Sequence, residues 1–195
     1  MIASDPLEQL SADRQAAREQ SDPWAALCVV GTLKTGLEAS ERVELRTLVL
    51  RDLEGELALF FSATSPKWRQ LEATESVALL VYLPSLEVQY RLQANWQPIP
   101  AATVHKHWQL RPDIPKRLDW LYELHPQSTA LERTKLTAAL ADDTRDEPPS
   151  TAPAGAMGIV IEPFEVERLQ LSKGIHERYL FTRSAGSWTQ QSLVP

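Results

Sequence analysis

The segment Arg46-Thr-Leu-Val-Leu-Arg51 decides the expected fold of this chain, because it is a strand-forming run with a cation at each end. A strand advances roughly 3.3 Å per residue, so the two guanidinium groups can lie about 16 Å apart along one element. A second apolar run ends in Phe61-Ser62, and Ser65-Pro-Lys67 then predicts the start of a helix that carries a hydroxyl group and an amine. This order suits a long ligand with an anionic group at one end and a polar ring at the other.

Composition limits the class of protein. With 43% hydrophobic residues among 195, the chain can bury one sizeable core, and we expect a single domain over residues 1–195. The net charge of −6 argues against nucleic-acid binding, because no surplus of basic residues exists to displace counterions from a phosphate backbone. Any anionic ligand must therefore be held by a local cluster of Arg and Lys side chains.

The N-terminal residues and the single cysteine indicate the cellular setting. Met1 to Pro6 has no basic segment followed by an apolar one, and no apolar run approaches the ~20 residues of a membrane span. Cys28 lies in the apolar run 25–30, so we expect a buried thiol rather than a disulfide. These features predict a soluble, cytoplasmic protein that does not contact membranes.

The pattern along the chain predicts strands around a helical insertion, without regular β-α-β alternation. This arrangement favours a mainly β (α+β) fold, an antiparallel barrel with peripheral helices. A polar, proline-rich segment over 142–156 predicts a mobile loop, and residues 158–195 should supply the last strands. The expected helices cover 5–21, 66–73, 101–110, 116–124 and 129–141, and the expected strands cover 24–33, 43–51, 56–62, 77–82, 86–97, 158–171, 178–183 and 188–193.

Four polar side chains form a candidate anion site: Arg46, Ser62, Ser65 and Lys67. Cations near a helix start can supply charge-assisted hydrogen bonds to a phosphate group. The same residues also fit a plain helix cap, in which Ser65 and Pro66 start the helix and both cations are solvated. Spacing alone leaves both interpretations open.

The order of these motifs resembles that of the pyridoxamine 5′-phosphate oxidase family, whose members bind FMN in a split barrel. Asp22-Pro23 precedes an apolar strand, as in that family, and Arg46–Arg51 matches its strand that begins with Arg and ends with Lys or Arg. The resemblance implies a Greek-key split β-barrel and a homodimer with FMN at the subunit interface. The other matching segments are Phe60–Ser62, Ser65–Lys67, Val77–Tyr82, Leu86–Gln89, Trp108–Pro112, His176–Arg183, Trp188 and Leu193–Pro195.

The resemblance assigns roles to individual residues. Arg46, Ser62 and Lys67 would hold the FMN phosphate, and the backbone of Thr47–Leu50 would lie along the isoalloxazine ring. The complete set of cofactor positions that it implies is Arg46, Thr47, Leu48, Val49, Leu50, Arg51, Phe61, Ser62, Lys67, Gln89 and Arg178.

The reactive end of the flavin has fewer implied residues. Gln89 would reach the ring edge, and Arg178 would come from the partner subunit. Arg51 would lie near the reactive end, where a cation can stabilise negative charge on the reduced ring. Arg51 and His176 are the catalytic candidates, and His176 fits surface or interface packing equally well.

Several cofactor and substrate positions depart from the family pattern. Pro66 replaces an arginine before Lys67, Pro115 replaces a substrate-binding serine, and Leu169 falls where a tryptophan is expected. Trp108, matched to the family's substrate tyrosine, lacks a hydroxyl group. The retained substrate-binding candidates are Trp108, Arg111 and His176.

Three functions follow from this mixture of kept and lost positions. The first is an FMN-dependent oxidoreductase acting on an unidentified small molecule. The alternatives are a true pyridoxamine or pyridoxine 5′-phosphate oxidase, and a non-catalytic flavin-binding protein. We expect no metal site, because His105 and His107 are two residues apart and point from different faces of a helix.

Overall fold

The structure is a computed structural model that describes residues 5–34, 42–127, 130, 132–141, 149–171 and 174–195. Nine strands and five α-helices are described, with one 3₁₀ turn at Pro84–Leu86. The helices are α1 (Pro6–Glu19), α2 (Pro66–Glu72), α3 (Ala101–Gln109), α4 (Asp113–Leu124) and α5 (Arg133–Ala141). The strands are β1 (Leu27–Lys34), β2 (Arg42–Val49), β3 (Arg51–Leu53), β4 (Glu56–Ser62), β5 (Ser76–Leu83), β6 (Val88–Pro98), β7 (Ala156–Gln170), β8 (Glu177–Ser184) and β9 (Ser187–Leu193).

All described strands belong to one antiparallel sheet whose two edges meet. The main order is β2-β1-β5-β6-β7-β4-β3, so β2 and β3 lie at opposite ends of the sheet. These two strands are nevertheless consecutive in the chain and are joined by the single residue Leu50. The sheet must therefore curl until its edges approach each other, and β2 indeed contacts β4. This curl gives the predicted split-barrel fold.

Strand β7 explains why the barrel is split. Its first part, from Ala156 to Ile161, pairs with β4, whereas Glu165 to Gln170 pairs with β8 on the same side. Residues between these two stretches have no strand partner on that side in the described register, so β4 and β8 diverge there. The hairpin of β8 and β9 thus leaves the main barrel as a separate flap of sheet.

The core lies inside the curled sheet. Strands β1, β5 and β6 alternate buried and more exposed residues, which is the pattern of strands with one face in a core. Helix α1 closes one end through Leu10 and Ala17, both fully buried. Cys28 is buried as predicted, and desolvation raises the pKa of its thiol to about 12.

A buried arginine fixes the link between the two sheet edges. Arg14 of α1 is fully buried and donates hydrogen bonds to the carbonyl oxygens of Ala25 (3.1 Å) and Leu50 (2.7 Å). It also donates to Asp52 Oδ1 at 2.7 Å. The backbone N–H of Leu50 is bonded to the carbonyl oxygen of Ala26 at 2.9 Å, so both backbone groups of the link are satisfied.

The sequence predictions hold for most elements, and one is wrong. The single strand expected over 43–51 is interrupted at Leu50, because the polar groups of that residue bond to Arg14 and Ala26 rather than to a strand. Arg51 therefore belongs to β3 and pairs with β4. The other predicted elements are found with ends shifted by a few residues, and the mainly β split-barrel class is confirmed.

The segment 142–156 is described only in part. Residues 142–148, where a mobile loop is predicted, lie outside the described residues. The described part is held by hydrogen bonds, since Gly155 accepts from the N–H of Ala63 at 2.7 Å and donates to Glu123 Oε1 at 2.7 Å. Among the described residues, the helices are too short and too polar to cross a membrane.

Replacing Arg14 with alanine should destabilise the fold by about 2–4 kcal/mol, because two buried carbonyl oxygens lose their donor and a cavity forms. Urea denaturation monitored by circular dichroism would measure the change. Arg18→Ala is the matched control, since Arg18 also contacts Asp52 (3.2 Å) but is 38% exposed, and it should cost less than about 1 kcal/mol. Equal decreases in the free energy of unfolding of the two variants would contradict the role assigned to Arg14.

Candidate functional site

Two cavities lie on either side of β2 residues Thr47 and Leu48, which line both. The first, here called the Lys67 cavity, has a volume of about 530 Å³. The second, here called the Trp108 cavity, has a volume of about 440 Å³. The described residues that line the Lys67 cavity come mainly from β2, α2, α4 and the segment after α4, with Leu136 of α5. Those that line the Trp108 cavity come mainly from β2, β3, β4, α3 and β7, with Asp119 of α4. Together they form one elongated candidate site.

Lys67 is a buried cation without a carboxylate partner. Its side chain belongs to α2, is 8% exposed, and donates a hydrogen bond to Ser65 Oγ at 2.5 Å. Within the described part of the chain, no Asp or Glu oxygen lies within 4 Å of its amine. Burial and the nearby positive charge of Arg46 lower the pKa of Lys67 to about 8. Two cations held close together out of water are unfavourable unless an anion joins them.

Arg46 is held in place by a polar network on one face of β2. Its guanidinium donates to Thr32 Oγ1, to Gln70 Oε1 at 3.0 Å and to Glu44 Oε2 at 3.1 Å. Gln70 in turn donates to Glu44 at 2.8 Å. Desolvation lowers the pKa of Arg46, an effect that Glu44 opposes. The network fixes the guanidinium at the mouth of the cavity while leaving it only half-buried.

Two further polar groups belong to this end of the site. Ser65 begins α2 but makes no side-chain hydrogen bond to the helix, so its hydroxyl group serves Lys67 instead of capping. Gln127 lines the Lys67 cavity, and its buried Oε1 atom has no hydrogen-bond partner among the described residues. Such an unsatisfied acceptor is costly and suits a ligand with a hydroxyl or N–H donor.

The Trp108 cavity is mainly apolar. Phe60 and Phe61 from β4 line it together with Val104 of α3, and Phe61 also packs on the ring of Trp68 at 6.0 Å between ring centroids. Ser62 lines the same cavity and is bonded to Thr64 Oγ1 at 2.8 Å. This lining favours a flat aromatic ligand, since ring faces and edges pack well against aromatic side chains.

A charged pair lies in the wall of the Trp108 cavity. Arg111 Nη1 is 3.2 Å from Asp119 Oδ2, and the same oxygen accepts the indole N–H of Trp108 at 2.7 Å. Desolvation raises the pKa of Asp119, while Arg111 and Trp108 oppose that rise. Trp108 is 3% exposed, and its indole N–H, the only polar group of the side chain, is already bonded to Asp119.

Arg51 and His107 complete the lining at the opposite end from Lys67. Arg51 is exposed, and among the described residues no carboxylate oxygen lies within 4 Å of its guanidinium. His107 of α3 packs its ring on Phe60 with 5.6 Å between ring centroids. The two predicted cations, Arg46 and Arg51, thus lie in different cavities with Thr47 and Leu48 between them.

Leu50, a predicted cofactor position, is buried in the core and lines neither cavity, and three further sequence-predicted residues also lie away from both cavities in a single chain. Gln89 is on β6 and pairs with Tyr82, and His176 is exposed before β8. Arg178 of β8 donates to Glu167 Oε2 at 2.9 Å. None of the three lines either cavity, and the resemblance assigns only Arg178 to a partner subunit. These roles stay predictions.

Sequence analysis missed several residues that line the site. Asp119, Gln127 and Tyr122 come from or follow α4, a helix that carried no motif in the sequence. Sequence analysis assigned His107 no role at the site, although it directly precedes the substrate-binding candidate Trp108. Within the described residues, no group of three or more His, Cys, Asp or Glu side chains forms a candidate metal site.

Comparisons with known proteins agree with this architecture. No family model matches the chain. A pyridoxine/pyridoxamine 5′-phosphate oxidase from Shewanella sediminis is 25% identical over 200 residues, covering all of this chain and 91% of the relative. One from Pseudomonas paraeruginosa is 29% identical over 170 residues, covering 84% of this chain and 77% of the relative.

Two solved structures share the fold. PhzG from Burkholderia lata, in complex with tetrahydrophenazine-1-carboxylic acid, superimposes with a TM-score of 0.84 at 20% identity, covering 99% of this chain and 94% of PhzG. A pyridoxamine 5′-phosphate oxidase-related, FMN-binding protein from Nostoc punctiforme gives a TM-score of 0.80 at 17% identity, covering all of both chains. The chain is therefore similar in sequence to pyridoxine/pyridoxamine 5′-phosphate oxidases and shares the fold of these two structures, so the predicted resemblance is confirmed.

Replacing Lys67 with methionine should stabilise the ligand-free protein at pH 7, by on the order of 3 kcal/mol, because a buried charge is removed. The Lys67 amine has a pKa of about 8 in the folded protein and its ordinary, higher pKa in the unfolded chain. The wild-type protein therefore gains stability as the pH rises from about 8 to 10.5, and the advantage of the variant should shrink over that window.

Urea denaturation at pH 7 and pH 10 would measure both effects. Lys135→Met is the control, since the side chain of Lys135 is 68% exposed. A difference between wild type and Lys67→Met that does not change with pH would show that Lys67 is not a buried cation.

Proposed function

We propose that this protein binds FMN and acts as an FMN-dependent oxidoreductase on a small molecule. The observation that carries the proposal is the buried Lys67 amine, which lies near Arg46 and has no carboxylate within 4 Å among the described residues. A phosphate group would neutralise the Lys67 amine and accept charge-assisted hydrogen bonds from it and from Arg46, which is also paired with Glu44 at 3.1 Å. The names of the relatives and of the Nostoc protein support the same cofactor.

The residues present fit FMN along the whole candidate site. Arg46, Ser65 and Lys67 would hold the phosphate, and the unsatisfied Gln127 Oε1 would accept a hydrogen bond from the ligand. Thr47 and Leu48 connect this end to the aromatic lining of the Trp108 cavity, which suits a flat ring system. When bound, FMN supplies the redox chemistry, and the protein supplies binding, orientation and electrostatics.

Arg51 would act on the ring of the bound flavin in the Trp108 cavity. Its guanidinium is a cation without a carboxylate partner among the described residues, so it can stabilise negative charge that develops on a bound ring. The apolar walls formed by Phe60, Phe61 and Val104 would exclude water from the reacting groups. His107 and, from a second copy, His176 are available to transfer protons.

We further propose that two copies of the chain form the complete site. Strand β2 exposes Val43 and Leu45 at 68% and 69%, which is unusual for apolar side chains on an edge strand, and Val49 is 43% exposed. Val43 and Leu45 also line a surface groove of about 540 Å³. A second copy covering this face would explain why Gln89 and Arg178 lie outside both cavities of a single chain.

Pyridoxamine 5′-phosphate oxidase activity is the second candidate, and the similarity to relatives that carry this name favours it. Against it stand Pro115 at the serine position and the engagement of Arg111 by Asp119. Turnover of pyridoxamine 5′-phosphate with release of hydrogen peroxide would establish this activity. A flavin that is reduced by chemical reductants but by no offered substrate would favour the third candidate, a non-catalytic flavin-binding protein.

FMN should bind, and Arg46→Ala or Lys67→Ala should weaken binding by about 10- to 100-fold, because each removes a charged hydrogen bond to phosphate. Riboflavin lacks the phosphate, so its affinity should change little in either variant. Titration followed by flavin fluorescence would measure both ligands. The control is Arg69→Ala, an exposed cation on the same helix, α2. Wild-type protein that binds neither flavin would contradict the proposed function.

Leu45→Asp should convert a dimer into a monomer, because it places a charge in the centre of the exposed apolar face of β2. Sedimentation velocity would give the mass of wild type and variant, and FMN titration should show weaker binding by the monomer. Glu54→Asp, at the exposed turn between β3 and β4, is the control and should leave the mass unchanged. A wild-type protein that sediments as a monomer in the presence of FMN would contradict this model.

A further inference from the structure

The Trp108 cavity contains two arginines with different electrostatic surroundings. Arg111 is paired with Asp119 at 3.2 Å, and Asp119 is held in place by the indole N–H of Trp108 at 2.7 Å. The carboxylate is 12% exposed and thus lies in the wall rather than in solvent. Because a nearby opposite charge cancels most of its field, Arg111 offers little net attraction to an anion in the cavity.

Of the other Arg and Asp side chains that are described in the cavity lining, Asp52 is paired outside the cavity, so Arg51 contributes one uncompensated positive charge. Asp52 lines the cavity but is bonded to Arg14 and Arg18, on the side of α1. Arg51 remains as the cation that has no carboxylate within 4 Å among the described residues. A singly charged ligand therefore matches the cavity, whereas a phosphate dianion would bring a second negative charge close to Asp119.

The remaining lining describes the uncharged part of the ligand. Leu53, Phe60, Phe61, Val104 and Met157 surround the cavity with apolar surface from β3, β4, α3 and β7. Such apolar walls favour a flat ring, and apart from the two arginines and the tryptophan indole the described side-chain donors that line the cavity are the hydroxyl groups of Thr47 and Ser62 and the ring of His107.

We propose, building on the FMN function above, that Asp119 determines substrate class by neutralising Arg111. The substrate, which would lie beside the flavin ring in the Trp108 cavity, is a flat, largely apolar ring compound with at most one negative charge, such as a single carboxylate, and phosphate monoesters are disfavoured. Asp119 acts through Arg111 and Trp108 and is thus a positioning and specificity residue rather than a catalytic one.

Three probes with the same ring and different charge test the proposal: 1-naphthalenemethanol (neutral), 1-naphthoate (one negative charge) and 1-naphthyl phosphate (close to two at pH 8). Isothermal titration calorimetry with wild-type protein, with and without saturating FMN, would rank them. We expect naphthoate to bind at least as tightly as the alcohol, and naphthyl phosphate to bind about tenfold more weakly than naphthoate.

Asp119→Asn keeps an acceptor for the Trp108 indole and removes the charge. The electrostatic free energy scales with ligand charge. The factor by which the variant binds naphthyl phosphate more tightly should therefore be roughly the square of the factor for naphthoate. Affinity for the alcohol should not change. Asp113→Asn is the matched control, since Asp113 is an exposed carboxylate on the same helix, α4, and does not line the cavity.

The outcomes separate this proposal from the FMN function. Wild-type protein that prefers naphthyl phosphate to naphthoate, or an Asp119→Asn variant that changes all three affinities by one factor, would overturn the role of Asp119. The wild-type ranking decides the question even if the variant folds poorly. Failure to bind FMN would overturn the proposed function alone, because the charge ranking is measured on FMN-free protein as well.

Discussion

The curl of the sheet depends on how the chain crosses between its two edges at Leu50. A single residue cannot span an open sheet of this width, so β2 and β3 can be consecutive only if the edges meet. Arg14 holds this crossing from α1 through the carbonyl oxygen of Leu50 and through Asp52. A fully buried guanidinium is costly to desolvate, and here three acceptors offset that cost at the one position where the barrel must close.

This crossing also shapes the candidate site. The strand is interrupted at Leu50, so Arg46 belongs to β2 and Arg51 to β3. Arg46 lines one cavity and Arg51 lines the other, and Thr47 and Leu48 line both. The site is consequently polar and cationic at one end and aromatic at the other. Each end pairs one arginine with a carboxylate, since Glu44 lies 3.1 Å from Arg46 and Asp119 lies 3.2 Å from Arg111. Each end also has a second cation, Lys67 or Arg51, without a carboxylate within 4 Å among the described residues.

The sequence was sufficient to predict what depends on local pattern and insufficient for what depends on distant contacts. The alternation of β6 and the Ser65-Pro66 helix start predicted their elements closely, since both signals are local. The break at Leu50 was missed because its cause, Arg14, lies 36 residues away along the chain. Asp119 was missed for the same reason, since only the packing of α4 on α3 brings it to Trp108 and Arg111. The cationic positions Arg46 and Lys67 were found through the resemblance of ordered motifs and not through spacing.

The burial of Cys28 has a practical consequence for studying this molecule. The chain has one cysteine, and its thiol is 1% exposed with a strongly raised pKa, so almost no thiolate is available to react at neutral pH. Maleimide and methanethiosulfonate reagents should therefore not react with Cys28 in the native protein. Two cysteines engineered at exposed positions would carry the only spin labels on the chain without prior removal of the natural thiol, and pulsed electron paramagnetic resonance could then measure the distance between them.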